Sequence, residues 1–271
     1  MYFNNDGKII SAKIRSHNNK IFHDFWSLHS AALATRTEIQ YFRHFFPALQ
    51  NYINALRIPG VLFQCRAKEI HSSPLVTYGT GKTCELGDYI LIVKYKNRNV
   101  LIGKKLIIYQ LKRTHTNSWS IDQKQLKLLR DWPTFCFGRT TVGKNTYTLR
   151  PTRPEYGSFV LIRDNHPIEF YSDVYGSAYD ISNNQFGKSV RFTDIHKFHY
   201  SGLFSYFKLL TWEIGEPIIE NTDIADFTSA LYRYMEWEED PPNEFIQYEK
   251  KGEENSFWGI EITVSAEEGL K

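Results

Sequence analysis

The sequence predicts an α/β protein with a central mixed β-sheet flanked by helices. Three observations carry this expectation. The runs Tyr89–Val93 and Lys105–Leu111 are rich in Val, Ile, Leu and Tyr, as strands buried on both faces are. Helical spacing of apolar residues recurs before and after them, through Ile39, Phe42, Phe46, Leu49 and Ile53 and again through Leu126, Leu129 and Trp132. The order strand, loop, helix that follows Lys112 is the order of layered α/β folds. At 271 residues the chain can bury a substantial core, and no repeat or linker divides it. It reads as a single domain over 1–271, with a core over about 20–165 and a C-terminal extension over about 166–271 packed on it.

Taken in order, Lys8–Ile14 offers a short strand, and 20–35 a helix through Phe22, Phe25, Trp26 and Leu28. Thr35 or Thr37 caps a helix that runs to Pro59, with Glu38 in its first turn and Pro47 as a kink or break. Val61–Cys65 is a strand, and Arg66–Ser73 is polar. Tyr78–Thr83 looks like a phosphate loop, but Val76 stands where such a loop needs Gly. It therefore reads as a turn into a strand over Glu85–Lys96. Asn97–Asn99 connects to a strand over Val100–Arg113, with Gly103 at a bulge or second turn. A helix from Ser120 ends at Pro133, and short strands follow at Phe135–Phe137, Tyr147–Arg150 and Ser158–Ile162. Residues 163–201 are rich in Asn, Ser, Gly and Asp and read as a surface excursion. Leu203–Gly215 and Ile224–Trp237 are helices, the acidic 238–254 a loop, and Phe257–Val264 a last strand.

The polar residues within these apolar runs point to chemistry. Asp88 opens one strand, and Gln110 and Lys112, two apart and so on one face, close the next. Asp88 and Gln110 stand 22 residues apart, enough for one strand out, a turn and one strand back. A carboxylate, an amide oxygen and an ammonium at one sheet end suit a divalent cation with a lysine aimed at its ligand; a plain Asp88–Lys112 ion pair is the structural alternative. Glu85 either assists such a site or pairs with Lys82, and Glu38 is either a first-turn acid or a further ligand from a packed helix.

Net charge is only +3, so the whole-molecule field does not announce a polyanionic partner. The distribution is uneven. Lys94, Lys96, Arg98, Lys104, Lys105, Lys112 and Arg113 crowd 94–113, whereas 236–254 is acidic. That basic run reads as lying beside the candidate site and fits a phosphate-bearing substrate. Lys82, Arg113, Lys124 and Lys127 are candidate nucleic-acid contacts. Cys65, Cys84 and Cys136 lack zinc-ribbon spacing and read as reduced thiols of a cytoplasmic protein. No apolar run is long enough for a membrane span, and no Gly-x-Ser-x-Gly elbow is present. His196 and His199 are spaced to share a metal but lack an acidic neighbour and read as surface residues.

Glu38 on a helix, Glu85-Leu86-Gly87-Asp88 before a strand and Gln110-x-Lys112 at the end of the next resemble the PD-(D/E)xK nuclease superfamily, in its Gln-x-Lys variant. Gln125-Leu126 with Trp132-Pro133 further resembles bacterial effector nucleases of phage defence. The resemblance covers roughly 35–135. It implies a restriction-endonuclease-like core and Mg²⁺-dependent cleavage of DNA, with Mn²⁺ as a substitute and partner subunits in a defence complex. By position it makes Asp88 the metal-binding acid, Gln110 the second ligand, Lys112 the catalytic lysine and Glu38 the helix-borne acid. Most members carry an acid where this chain has Gln110. A neutral amide oxygen brings no charge to the metal, so the resemblance leaves open an inactive nucleic-acid-binding or assembly subunit on the same fold, or an RNase.

Overall fold

A computed structural model describes residues 5–71, 73–116, 118–138, 146–153, 156–163, 173–177, 189–191, 200–237 and 256–266. The acidic stretch 238–254, His196 and His199 lie outside the described residues, as does most of 163–201.

The chain opens with three helices, α1 (Asn5–Arg15), α2 (Asn18–Leu33) and α3 (Glu38–Ala55). The strand expected over Lys8–Ile14 is instead part of α1. Ile10 and Ile14 are fully buried while Ile9 is exposed, and the four-residue spacing of the buried pair suits a helix. In α2 the buried residues Ile21, Phe25, His29 and Ala32 keep the same period. Thr37 caps α3 by accepting the Gln40 N–H at 3.2 Å. Pro47 does not split α3 into two helices, because Phe45, Phe46 and Leu49 hold both halves in one core.

The strands follow as β1 (Val61–Ile70), β2 (Leu75–Tyr78), β3 (Lys82–Glu85), β4 (Tyr89–Asn97) and β5 (Val100–Thr114). β1 runs five residues past the expected end at Cys65. Residues 75–85 form a separate hairpin rather than a turn into β4, and a strand at Phe135–Phe137 joins it as a third. Arg98 and Asn99 take left-handed φ values of +47° and +64°, which match the twist of a tight β4–β5 turn. The pairing slips between Tyr95 and Lys96, leaving Ile102 as the extra residue beside Gly103. Next come β6 (Ser118–Ser120), α4 (Gln123–Asp131), β7 (Phe135–Phe137), β8 (Gly157–Arg163), β9 (Asp173–Ser177), β10 (Ser189–Arg191) and β11 (Tyr200–Ser201). The strand expected over Tyr147–Arg150 reduces to one bridge between Phe135 and Tyr147. The chain ends with α5 (Gly202–Leu210), β12 (Glu216–Pro217), α6 (Asp223–Tyr234) and β13 (Phe257–Ala266). α5 stops before the expected Gly215, since Trp212 already has φ of +66°.

The main sheet has the order β1-β13-β4-β5-β8-β9-β11, with β12 on β5. It is mixed: β13 lies parallel to β4 and β8 parallel to β5, and the other pairings are antiparallel. The C-terminal strand therefore enters the sheet between β1 and β4 instead of packing on a finished core. Two apolar layers follow from strand alternation. Leu91, Val93, Ile107 and Tyr109 face α1, α2, α3 and α5, whereas Ile90, Ile92, Leu106 and Ile108 face α4 and α6. No helix among the described residues is long and apolar enough to cross a membrane.

Candidate active site

The site is built where β4 begins and β5 ends. Gly87 lets the chain pass close over β5, since a Cβ there would stand 2.8 Å from the Tyr109 carbonyl oxygen and 2.9 Å from Ile108 Cγ2. The next residue, Asp88, is fixed by its backbone between two strands. Its N–H donates to the Tyr109 carbonyl, and its own carbonyl accepts from the Trp258 N–H, both at 2.9 Å. Since Tyr89 pairs with Tyr109, Asp88 falls beside Gln110, on the face that β5 also gives to Lys112.

The Asp88 carboxyl is held by β5. Its Oδ2 accepts the Leu111 N–H at 2.6 Å and a short bond from the Gln110 side-chain amide. Gln110 is buried, and its Oε1 accepts from Gln125 Nε2 at 2.5 Å. Gln125 reaches it because α4 lies close on the sheet. Asp122 caps α4 through the Lys124 and Gln125 N–H groups at 2.9 and 2.8 Å, and Gly157 clears space for the helix backbone at Leu129. Asp88, Gln110 and Gln125 thus form a relay from the sheet end into the helix layer. Gln125 received no role from the sequence. The signal was its polar side chain on the otherwise apolar inward face of α4, beside Leu126, Leu128 and Leu129.

Three carboxylates and one ammonium share the neighbourhood. Burial raises the Asp88 pKa to about 7; the positive Lys112 opposes this, the charges of Glu38 and Glu85 add to it, and the Leu111 N–H again opposes it. Burial also raises Glu85, with Lys112 again opposing and Glu38 and Asp122 reinforcing. Glu85 has Lys112 rather than the expected Lys82 as its opposing cation. Among the described residues the Lys112 ammonium makes no ion pair within 4.0 Å, so the simple Asp88–Lys112 pair does not form. Glu38 arrives from the opposite layer at the start of α3, where its Oε1 accepts the Arg113 N–H at 2.8 Å. Asp88, Gln110, Lys112, Glu85 and Glu38 therefore lie toward one end of the sheet.

The basic residues behave differently. Arg113 points to the α2–α3 connection, where its guanidinium donates to the carbonyls of Leu33 at 3.0 Å and Thr37 at 3.2 Å. Lys82 is exposed beside the hairpin turn, and Lys124 and Lys127 are exposed on α4, with Lys127 paired to Asp131 at 2.8 Å. The run expected beside the site is mostly elsewhere. Lys94, Lys96, Arg98, Lys104 and Lys105 occupy the far end of β4 and β5. Lys105 is buried, and its ammonium donates to the carbonyls of Trp212 and Ile214 at 2.9 and 3.0 Å.

The donor chemistry can be tested against a divalent cation. Among the described residues no three His, Cys, Asp or Glu side chains form a ready metal cage, so Asp88, Glu38 and Glu85 do not converge as three predicted ligands. The Gln110 oxygen faces Gln125, and its nitrogen faces Asp88. The oxygen donors nonetheless match a hard cation that keeps several waters and takes one or two carboxylates. Burial is the main cause of the raised Asp88 pKa, and a cation beside the carboxylate would favour its charged form. Turning over both amides would present the Gln110 oxygen to Asp88, an arrangement that itself calls for a cation or a proton between the two oxygens.

Comparison with protein-family models gives no match, and neither curated proteins nor solved structures provide one.

Proposed function

We propose that the protein is a Mg²⁺-dependent endonuclease that hydrolyses DNA phosphodiesters, the reading that its resemblance to effector nucleases of phage-defence complexes also favours. The observation that carries it is the single-faced grouping of Asp88, Gln110 and Lys112 at one sheet end, with Asp88 raised to about 7 in the company of Glu38 and Glu85. Asp88 would hold the cation, with Gln110, Glu38 and Glu85 as the further oxygen donors. The bound cation would polarise the scissile phosphate and acidify a water. Lys112 would neutralise charge that develops on the phosphate and orient the attacking water. Gln125 would fix the Gln110 amide, and no side-chain nucleophile is required.

Purified protein with plasmid DNA and Mg²⁺ tests this. Lys112→Ala and Asp88→Asn should each lower cleavage by roughly a hundredfold or more while keeping the circular dichroism of the parent. Cleavage retained by both variants would sink the proposal. Matched DNA and RNA substrates separate a DNase from an RNase. A second reading, a nucleic-acid-binding or assembly subunit without turnover, draws on the Gln110 oxygen being engaged by Gln125. It requires salt-dependent DNA binding with no cut in Mg²⁺ or Mn²⁺.

A further inference from the structure

A second group of charges lies across the same face of the sheet, away from Asp88. Arg66 on β1 pairs with Glu261 on β13, and Lys94 on β4 stands directly opposite Lys104 on β5. Lys94 is six residues along β4 from Asp88, about 20 Å at the rise of a strand. Glu261 touches two of the three cations, and its single negative charge offsets only one of the three positive ones. Its oxygens meet Arg66 at 3.1 Å and Lys94 at 2.6 Å, and it accepts a short bond from the Tyr232 hydroxyl. Lys104 has no carboxylate among the described residues. Its ammonium sits 4.2 Å above the Tyr232 ring, as Arg66 sits 4.5 Å above that of Trp237. The neighbouring Glu236 does not relieve the excess, because it already pairs with Lys68 at 2.7 Å.

This arrangement works against itself unless something further binds. Like charges directly opposite on paired strands repel, and among the described residues this half-buried ammonium has a ring but no carboxylate against it. Burial lowers the Lys104 pKa to about 8, and Lys94 and Arg66 lower it against the pull of Glu261. The group remains reachable, since the Arg66 side chain is 44% exposed and that of Lys94 21%.

We propose that Arg66, Lys94 and Lys104 form an anion site for a phosphate-type oxyanion, separate from the Asp88 end of the sheet. Lys104 supplies the unmatched charge, Lys94 and Arg66 flank the anion, and Glu261 holds those two in place. The phosphate belongs either to a nucleic-acid backbone or to a free phosphate-bearing small molecule.

Thermal shift and titration calorimetry decide between a site and a chance cluster. Inorganic phosphate is compared with chloride at equal ionic strength, and a short single-stranded oligonucleotide forms the second arm, both in EDTA. The parent is compared with Lys104→Met, which keeps the apolar stem and removes the charge, and with Lys94→Met. Binding in either arm should weaken roughly tenfold in Lys104→Met, the scale of one charge-assisted contact. Without phosphate that variant should melt no lower than the parent, which shows that it folds. Loss confined to the oligonucleotide arm, with the salt slope smaller by about 1, assigns the site to a nucleic-acid backbone. Loss in the inorganic phosphate arm assigns it to a free phosphate. Equal responses of the parent and both variants in both arms would overturn the site.

Discussion

At the scale of the residue, Asp88 concentrates the conflict. Its carboxyl is placed beside two other acids, Glu38 and Glu85, with Lys112 and the Leu111 N–H in opposition, and burial takes its pKa from an ordinary 3.8 to about 7. The folded state therefore holds this proton more tightly than the unfolded chain does. The associated stability is fully present below about pH 4 and is lost as pH rises through about 7. In metal-free buffer the loss should be on the order of 2 kcal/mol, reduced by the solvent that still reaches the residue. Asp88→Asn keeps an oxygen that can accept the Leu111 and Gln110 hydrogen bonds and removes the ionisation. It should unfold at higher denaturant than the parent at pH 8, with the gap closing near pH 4. A pH-independent gap in denaturation midpoints would contradict this origin of the shift. His29 shows the same physics without chemistry. Burial, and then the charge of Arg113, lower its pKa to about 3, so it stays neutral beside the Tyr41 hydroxyl at 2.9 Å.

At the scale of the element, short backbone features aim the site. Gly87 permits the crossing over β5 that delivers Asp88 to Gln110. In Gly87→Ala the new methyl would meet backbone at 2.8 Å, and the strand would have to move. We expect a loss of about 1–3 kcal/mol in a denaturant titration, the range for overpacking, and cleavage reduced more than the remaining folded fraction explains. A Gly87→Ala protein as stable and active as the parent would show that the close approach is dispensable. β1 is the sheet edge, and α3 protects it. Asn54 exchanges hydrogen bonds with the Cys65 N–H at 2.7 Å and the Cys65 carbonyl at 3.0 Å, and Gln50 accepts the Ala67 N–H at 2.8 Å. These side chains occupy backbone groups that would otherwise recruit another strand.

At the scale of the whole molecule, the last strand holds the sheet together. β13 pairs with β1 over ten residues on one side and with β4 over nine on the other, and its Trp258 N–H fixes the Asp88 backbone. A chain ending at residue 256 would leave β1 without its sheet partner, expose one side of β4 and leave the Asp88 end unsupported. Such a chain should lose the cooperative thermal transition altogether, and a cooperative melt near the parent's would refute the central role of β13. The same strand carries Glu261 into the Arg66, Lys94 and Lys104 group, so one C-terminal segment orders both ends of the sheet.

The β4–β5 pair that sets Asp88 beside Gln110 was legible because it depends on local periodicity and on antiparallel neighbours joined by a tight turn. The α1 helix was missed because a short mixed segment does not separate a period of two from one of 3.6 until a core chooses a face. Sequence alone determined the amphipathic helices after α1, the two buried strands and which polar side chains share a face, since these follow from backbone geometry within a few residues. Only the tertiary structure decided that β13 separates β1 from β4, that Gln125 closes onto Gln110 and that most of the basic run lies far from Asp88. Those placements depend on pairings between residues distant along the chain, and no local pattern of side chains encodes their distance in space.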